Sequence, residues 1–373
     1  MHCDTTGAAP IERVDASAYT IPTERPESDG TLQWDATTVV VVEVQAGDQV
    51  GLGYTYAHEA AATLVTGKLA GIVEGRDALA VRSRWLEVMR ATRNLGRPGE
   101  VSMAISAVDI ALWDLKAKLF DLPLTVLLDA AHDGVPIYGS GGFTSYTIPE
   151  LQAQLAGWAE QGIPRVKMKV GRDPDVDVDR VAAARRAIGD DVELYVDANG
   201  AYTRKLALRM SYAFSDYDVR WHEEPVTSDD LEGLRLLRDQ GPPGMDIAAG
   251  EYGWDLPYFR RMLDGGAVDC LQCDVTRCGG ITAVLMTGAL CHAHSVDVSA
   301  HTAPQASAHV FSAVVPLRHL EYFHDHVRVE RLLFDGVLEP EAGMLRPDRS
   351  RPGMGLEFKH ADAERLAATS HKQ

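Results

Sequence analysis

The stretch Arg165-Val166-Lys167-Met168-Lys169-Val170 decides how this chain folds, because it opens a series of polar residues at nearly even spacing. After Lys169 the series continues at steps of 28, 26, 28, 23, 27 and 20 residues, at Asp197, Glu223, Glu251, Asp274, His301 and Glu321. Each of these residues lies at or near the end of a short apolar run. One such step holds a strand, a loop, a helix and a returning loop. The repeat therefore predicts a parallel (β/α) barrel whose polar side chains meet at the C-terminal rim.

The composition excludes some partners. A formal charge of −18 argues against nucleic acid and anionic membranes, which both attract basic surfaces. Five cysteines, an odd number in 373 residues, favour a reducing compartment over a disulfide framework. The first residues do not follow the signal-peptide pattern, and no run reaches the roughly 18 apolar residues of a membrane helix. We expect a cytoplasmic protein.

The first 130 residues predict an α+β capping domain. β-branched and aromatic residues indicate an antiparallel meander of strands at 11–22, 37–45 and 50–56. Apolar spacings of three and four predict helices at 60–73, 78–92 and 101–120. The polar, proline-containing segment 22–35 is expected to be a loop, and its length suggests a function.

The barrel is predicted over residues 131–332, and it begins with a strand at 135–140 and a helix at 148–161. Later helices are predicted at 177–188, 205–212, 231–239, 256–264 and 281–293. Residues 333–373 contain Pro and Gly turns and no barrel-like strand. We expect this tail to return to the capping domain.

Lys167 and Lys169 are two residues apart on a strand, so both side chains point to one face, which in a barrel is the interior. Two neighbouring ammonium groups repel, and each lowers the pKa of the other. A lysine in this position can serve as a base near neutral pH. The alternative is that both lysines are surface residues on an amphipathic strand.

Three carboxylates, Asp197, Glu223 and Glu251, come from consecutive strand ends. Carboxylates brought this close repel unless a cation lies between them, and a site made only of oxygen ligands suits Mg²⁺. Each acid taken alone could instead be solvated or cap a helix. That is the interpretation we adopt for the neighbouring Glu224.

Asp274 and His301 lie on the next two strands and could form a proton-transferring pair. A carboxylate bonded to one imidazole nitrogen fixes the tautomer and raises the basicity of the other nitrogen. The alternative for His301 is an ordinary core or surface histidine. Glu321 ends the apolar stretch 314–320, where a protonated carboxyl group could donate to a developing oxyanion.

Taken together, these motifs resemble the mandelate racemase subgroup of the enolase superfamily. The matching segments are Lys-x-Lys at 167–169, Val-Asp-Ala-Asn at 196–199, Glu-Glu-Pro at 223–225, Gly-Glu at 250–251 and the nine residues 274–282, followed by His301 and Glu321. Residues 111–118 are similar to the last helix of the capping domain in that family. The muconate-lactonizing branch is less similar, because it has a lysine on the sixth strand.

The resemblance implies a modified (β/α)7β TIM-type barrel with an N-terminal α+β capping domain, and a homo-oligomer between dimer and octamer. It implies that Mg²⁺ is bound by Asp197, Glu223 and Glu251. It further implies that Lys169 is one base and the Asp274–His301 pair is the other, on opposite faces of the substrate.

The remaining implied roles concern the substrate. Lys167 would neutralise its carboxylate and tune Lys169, Asn199 would contact it, and Glu321 would stabilise the enolate oxygen. Tyr56 and Tyr146 are expected to contact the substrate from loops around the site. Apart from Arg25, the loops around the site offer no clear arginine that could bind a second carboxylate. This favours an aldonate, which has one carboxylate, over an aldarate, which has two.

The resulting reaction begins with removal of the proton α to a carboxylate, with the negative charge held by Mg²⁺ and Lys167. Loss of a β-hydroxyl group would then produce a 2-keto-3-deoxy sugar acid, and this dehydration is the favoured outcome. One alternative is a racemase or epimerase that uses the same lysine and histidine. Another is a catalytically silent homologue that binds sugar acids.

Overall fold

The structure is a computed structural model that describes residues 9–370. The N-terminal part contains an antiparallel sheet in the order β1-β2-β3, with β1 at Arg13–Ser28, β2 at Gln33–Ala46 and β3 at Gln49–Tyr56. β2 contains four consecutive valines at 39–42, and all four are buried, so the strand is covered on both faces. The predicted meander is present in the structure.

The predicted loop at 22–35 is wrong for most of its length. β1 continues through Pro22 and Pro26 to Ser28, and its pairing with β2 shifts register between Pro22 and Glu27. β1 is an edge strand, where a proline that lacks an N–H donor is tolerated. The segment is therefore strand followed by a short turn.

Helices pack on this sheet. Their bounds are α1 Ala60–Leu64, a π-helical turn Val65–Leu69, α2 Ala70–Val73, α3 Val81–Ala91, α4 Glu100–Leu119 and α5 Leu124–Leu127. Gly53 of β3 lies directly against α4, and a Cβ atom added to it would lie 2.1 Å from the carbonyl oxygen of Ala107. The glycine thus allows helix and strand backbones to touch.

Eight parallel strands form the barrel. They are β4 Val135–Gly141, β5 Arg165–Lys169, β6 Glu193–Asp197, β7 Val219–Glu223, β8 Asp246–Ala249, β9 Cys270–Cys273, β10 Asp297–Ala300 and β11 Leu317–Phe323. Each strand pairs with the next, and β11 pairs with β4, which closes the barrel. Closure brings all eight C-terminal strand ends to one rim.

Seven helices connect the barrel strands. They are α6 Ile148–Glu160, α7 Pro174–Ile188, α8 Arg204–Ser215, α9 Leu231–Gln240, α10 Leu256–Asp264, α11 Gly280–His294 and α12 Pro304–Phe311. Several have an N-cap residue whose side chain accepts a hydrogen bond from a backbone N–H of the first turn, such as Asp173, Thr203 and Asp230. The expected (β/α)7β architecture is confirmed.

The barrel interior is filled below the rim by a cluster of Tyr138, Tyr195, Trp221, Ala248 and Cys270. Tyr195 and Trp221 stack with ring centroids 5.5 Å apart. This layer of side chains fills the barrel directly below the polar residues of the rim.

The C-terminal segment contacts both parts of the molecule. It contains α13 His324–Leu333, β12 Phe334–Asp335, β13 Met344–Leu345, β14 Glu357–Phe358 and α14 His360–Ser370. β13 pairs antiparallel with β4 of the barrel, and α14 packs on β1. The amide of Met354 donates to Asp114 Oδ1 of α4 at 2.7 Å. Among the described residues, no helix has the length and apolarity needed to cross a membrane.

Candidate metal and catalytic site

Three carboxylates converge at the rim. Asp197 and Glu223 are the last residues of β6 and β7 and lie side by side in the strand register, while Glu251 follows β8 by two residues. One oxygen from each lies within 4.8 Å of the others. All three residues are buried, at 0%, 0% and 3% exposure. Three acids buried this close need a cation between them.

These residues fit a divalent metal ion. The donor set consists of oxygen atoms only, which is the set that Mg²⁺ prefers. Oε1 of Glu223 is buried and has no hydrogen-bond partner in the described part of the chain. Burial, together with the charge of Asp197, raises the pKa of Glu223 to about 8. The triad is thus able to bind a metal, which would favour the ionised form of Glu223.

Lys167 is enclosed beneath this triad. Its ammonium donates to Glu223 Oε2 at 2.6 Å and lies 2.8 Å from Glu321 Oε1. It also lies 5.4 Å from the centre of the Tyr138 ring, in the layer below the rim. Lys167 is fully buried. In this structure it contacts acids of the site, and its predicted contact with a substrate carboxylate stays a prediction.

Lys169 reaches the rim itself. Its ammonium donates to Asp197 Oδ2 at 2.5 Å, as expected from the direct pairing of the two residues across β5 and β6. Burial is the largest influence and disfavours the charged lysine, but the carboxylates of Asp197, Glu321 and Glu223 together outweigh it and raise the pKa of Lys169. Lys167 lowers the pKa of Lys169, as expected, but the nearby carboxylates raise it by more.

His301 and Asp274 form the predicted pair. His301 Nδ1 lies 2.7 Å from Asp274 Oδ2, and Asp274 Oδ1 accepts from the backbone N–H of Thr276 at 2.6 Å. The second nitrogen, Nε2, lies 3.0 Å from Glu251 Oε2 and 3.5 Å from Glu321 Oε2. Burial opposes protonation of His301, yet these carboxylates raise its pKa to about 10.

Glu321 lies on β11, a strand that stands between those of Lys169 and His301 in the barrel. Its Oε1 accepts from Ser140 Oγ at 2.6 Å. Burial alone would raise the pKa of Glu321, but the ammonium of Lys167 and the imidazole of His301 lower it to about 2. The expectation of a protonated Glu321 is therefore wrong for this arrangement, because the carboxylate is paired with cations on two sides.

A cavity of about 480 Å³ lies between the capping sheet and the barrel rim. Lys169, Glu251, His301 and Glu321 line its barrel side. The predicted substrate contacts Asn199 and Tyr56 also line it.

The structure places other predicted substrate contacts elsewhere. Tyr146 is outside the set of described residues that line the cavity, and it packs against Phe143 with ring centroids 5.3 Å apart. Arg25 lies 5.4 Å from the centre of the Tyr146 ring and forms an ion pair with Glu150. Arg25 is therefore engaged by an acid outside the cavity.

Arg277 and His326 are among the cavity residues that sequence reasoning missed. Arg277 Nη1 lies 3.5 Å from Glu251 Oε1, and its Nε lies 3.4 Å from Asp274 Oδ2. The ring of His326 stacks on Tyr56 with centroids 3.3 Å apart. Arg277 follows the predicted site residue Asp274 by three positions, and this closeness in sequence could have indicated that it lies near the site. The stack of His326 on Tyr56 has no such signal, because the two residues are 270 positions apart.

The interpretation of Glu224 as a solvated or helix-capping acid is wrong. The residue is 1% exposed and has a positive φ of 37°. Burial, followed by the charge of Glu251, raises its pKa well above the usual value. Glu224 directly follows β7 with its backbone in the left-handed region, and its side chain lies inside the protein.

Comparisons with known proteins agree with this geometry. Residues 150–363 match the model of enolase C-terminal domain-like proteins, and residues 19–129 match the N-terminal domain of mandelate racemase and muconate lactonizing enzyme. The crystal structure of a mandelate racemase/muconate lactonizing enzyme-like protein from Rubrobacter xylanophilus is 59% identical. It superposes with a TM-score of 0.94, covering 95% of this chain and 99% of that one.

Several similar proteins have named activities. The 3,6-anhydro-alpha-L-galactonate cycloisomerase of Streptomyces coelicolor is 33% identical, over 94% of this chain and 98% of its own length. The L-talarate/galactarate dehydratase of Salmonella typhimurium is 31% identical, over 90% of this chain and 86% of its own length. A mutant of that dehydratase, solved with Mg and L-glucarate, superposes with a TM-score of 0.88 at 29% identity, covering 96% of this chain and 92% of that one.

The family resemblance is thus confirmed over nearly the whole chain. Both domain models match in the expected order, and the relatives cover the capping sheet as well as the barrel. The chain belongs to the enolase superfamily, among mandelate racemase and its relatives.

Proposed function

We propose that this protein catalyses the Mg²⁺-dependent removal of the proton α to the carboxylate of a sugar acid, followed by loss of the β-hydroxyl group. One observation carries the proposal. Lys169, His301 and Glu251 line one cavity, and behind them lie Asp274 and the other two acids of the metal-competent triad. The dehydratase from Salmonella typhimurium supports this reaction type by its similarity.

The metal would be held by Asp197, Glu223 and Glu251. When bound, it supplies positive charge that neutralises the substrate carboxylate and stabilises the charge that develops on loss of the proton. Lys167 adds a second positive charge directly beneath the triad.

Lys169 and His301 hold and move the protons. They reach the cavity from β5 and from the end of β10, which are not neighbours in the barrel, so they approach a bound acid from different sides. One of them accepts the α-proton and breaks the C–H bond. His301 in its protonated form then donates to the departing β-hydroxyl group, which leaves as water. The resulting enol becomes the 2-keto-3-deoxy acid on protonation at C3.

A second candidate is an epimerase. It is favoured by the presence of two proton-transfer groups at one cavity, since the second group could return a proton to the opposite face of the α-carbon. Aldonates and aldarates with a β-hydroxyl group could undergo either reaction, so they are the first substrates to test.

The test is a screen of diastereomeric aldonates and aldarates with Mg²⁺. We expect a keto acid that reacts with semicarbazide and disappears when the metal is chelated. In D₂O, inversion or deuterium exchange without keto acid would identify an epimerase. Binding of acids without exchange or product would contradict both reactions and indicate a silent binder.

A further inference from the structure

The two sides of the cavity differ in charge. The barrel side carries the cations Lys169 and Arg277, and both are engaged by acids of the site. Lys169 donates to Asp197, while Arg277 lies near Glu251 and Asp274. This side binds the metal and, under the proposed function, the carboxylate next to the reacting carbon.

The capping side is formed by residues from 29–38 and 56–58. Among the described residues that line it, none is a lysine or arginine. It presents apolar and hydroxyl groups, including Leu32, Trp34, Thr37 and Thr38. His58, at the rim, uses Nδ1 to accept the amide hydrogen of Ala60 at 3.2 Å. This wall therefore offers no strong cation to a distant carboxylate.

The carboxylate on this wall is that of Asp29. Its Oδ1 accepts the amide hydrogens of Thr31 and Leu32, each at 2.6 Å, which fixes the side chain at the turn between β1 and β2. Asp29 is only 7% exposed. A second carboxylate placed here would be desolvated beside an acid, which disfavours its binding.

We propose that the site selects monocarboxylic sugar acids whose far end is uncharged, and that the capping wall around Asp29, Leu32 and Trp34 discriminates against dicarboxylic acids. The inference rests on the proposed sugar-acid function and adds its substrate class. It separates this chain from the Salmonella typhimurium relative, whose mutant was solved with L-glucarate.

The test uses sets of acids of the same stereochemistry that differ only at the far carbon, which carries a carboxylate, a hydroxymethyl group or a methyl group. With Mg²⁺ present, we expect kcat/KM for the hydroxymethyl or methyl acid to exceed that of the dicarboxylic acid by at least about 10-fold. A dicarboxylic acid that is used equally well or better overturns the inference.

A variant pair tests the wall itself. Leu32 is 65% exposed at the cavity rim, so a longer side chain is tolerated there. Leu32→Arg adds the missing cation and should raise the ratio of dicarboxylic to monocarboxylic kcat/KM at least about 10-fold, whereas Leu32→Gln should leave that ratio within about threefold. An unchanged ratio in Leu32→Arg overturns the assignment of this wall.

Binding separates this inference from the proposed function. If no acid is turned over, the same sets are titrated calorimetrically into Lys169→Ala with Mg²⁺. Tighter binding of the monocarboxylic acid supports the inference even though the proposed reaction fails. Equal or tighter binding of the dicarboxylic acid overturns the inference, and absence of binding by all acids overturns both.

Discussion

The ammonium of Lys169 donates to Asp197 Oδ2 at 2.5 Å, so the proposed base is bonded to a carboxylate of the metal triad. The two residues are paired across β5 and β6, which keeps them adjacent. A metal bound by the triad would therefore share the Asp197 carboxylate with Lys169. Its positive charge would affect the protonation of Lys169, and the charge of Lys169 would affect the affinity for the metal.

The first prediction concerns Lys169→Ala. Without the proton acceptor, turnover of sugar acids should fall at least about 1,000-fold, while Mg²⁺ affinity is retained or increases because Asp197 loses a competing cation. Steady-state kinetics and calorimetric Mg²⁺ titration measure the two effects. Lys205→Ala, at an exposed position of α8, is the control and should change neither.

Glu223→Gln should remove metal binding. The amide keeps the shape of the side chain but loses the charge, and we expect Mg²⁺ affinity to fall at least about 100-fold with loss of turnover. Glu232→Gln makes the same chemical change on a side chain that is 89% exposed, and should leave Mg²⁺ affinity unchanged. Parent-like Mg²⁺ affinity in Glu223→Gln would exclude this residue from the triad.

Asp274→Asn should separate proton transfer from metal binding. Asp274 Oδ2 lies 2.7 Å from His301 Nδ1. Because the uncharged amide cannot stabilise a positive charge on His301, turnover should fall at least about 100-fold. Mg²⁺ affinity should stay within about threefold of the parent. Equal losses of turnover and metal binding would instead indicate that the substitution distorts the rim.

A pH-dependent contribution to stability should come from Glu330, which accepts from Tyr54 at 2.6 Å across the domain interface. Burial raises the pKa of Glu330 from 4.5 to about 8, although the hydrogen bond from Tyr54 opposes this. Between these values the folded chain holds a proton that the unfolded chain has lost. This contribution to stability is therefore full below pH 4.5 and is lost as the pH rises through 8.

Glu330→Gln lacks this titration. The free energy of unfolding of the variant relative to the parent should therefore rise with pH in this window, by at most about 1.4 kcal/mol per pH unit. Urea unfolding at several values between pH 5.5 and 8.5 measures the difference. A difference that is constant over this range would show that Glu330 does not titrate there.

The close contact of β3 with α4 predicts that Gly53→Ala destabilises the capping sheet. The added methyl group would meet the Ala107 carbonyl at 2.1 Å, and we expect unfolding to become easier by about 1–3 kcal/mol. Gly157→Ala in α6 is the matched control, since a Cβ atom there meets nothing within 4 Å. Its helical position predicts a gain of about 0.5–1 kcal/mol. Denaturation midpoints report both changes.

Much of the barrel could be predicted from the sequence because its signals are local. Strand ends recur at nearly even steps, and residues two apart on a strand share a face, so the sequence predicts that Lys167 and Lys169 point to the interior. The same repeat predicted that Asp197, Glu223 and Glu251 would meet, since neighbouring parallel strands bring their ends to one rim.

The charge state and the partners of these groups were decided by the tertiary structure. Lys167 lies beside Glu321, 154 positions away, and this contact keeps Glu321 ionised, contrary to expectation. His326 stacks on Tyr56 through a contact between distant segments of the chain. The sequence alone therefore determined that Lys169 and the three acids of the triad reach the rim, because strand periodicity is local. Only the folded chain decided their electrostatics, because pKa values depend on burial and on distances between charges that are far apart in the chain.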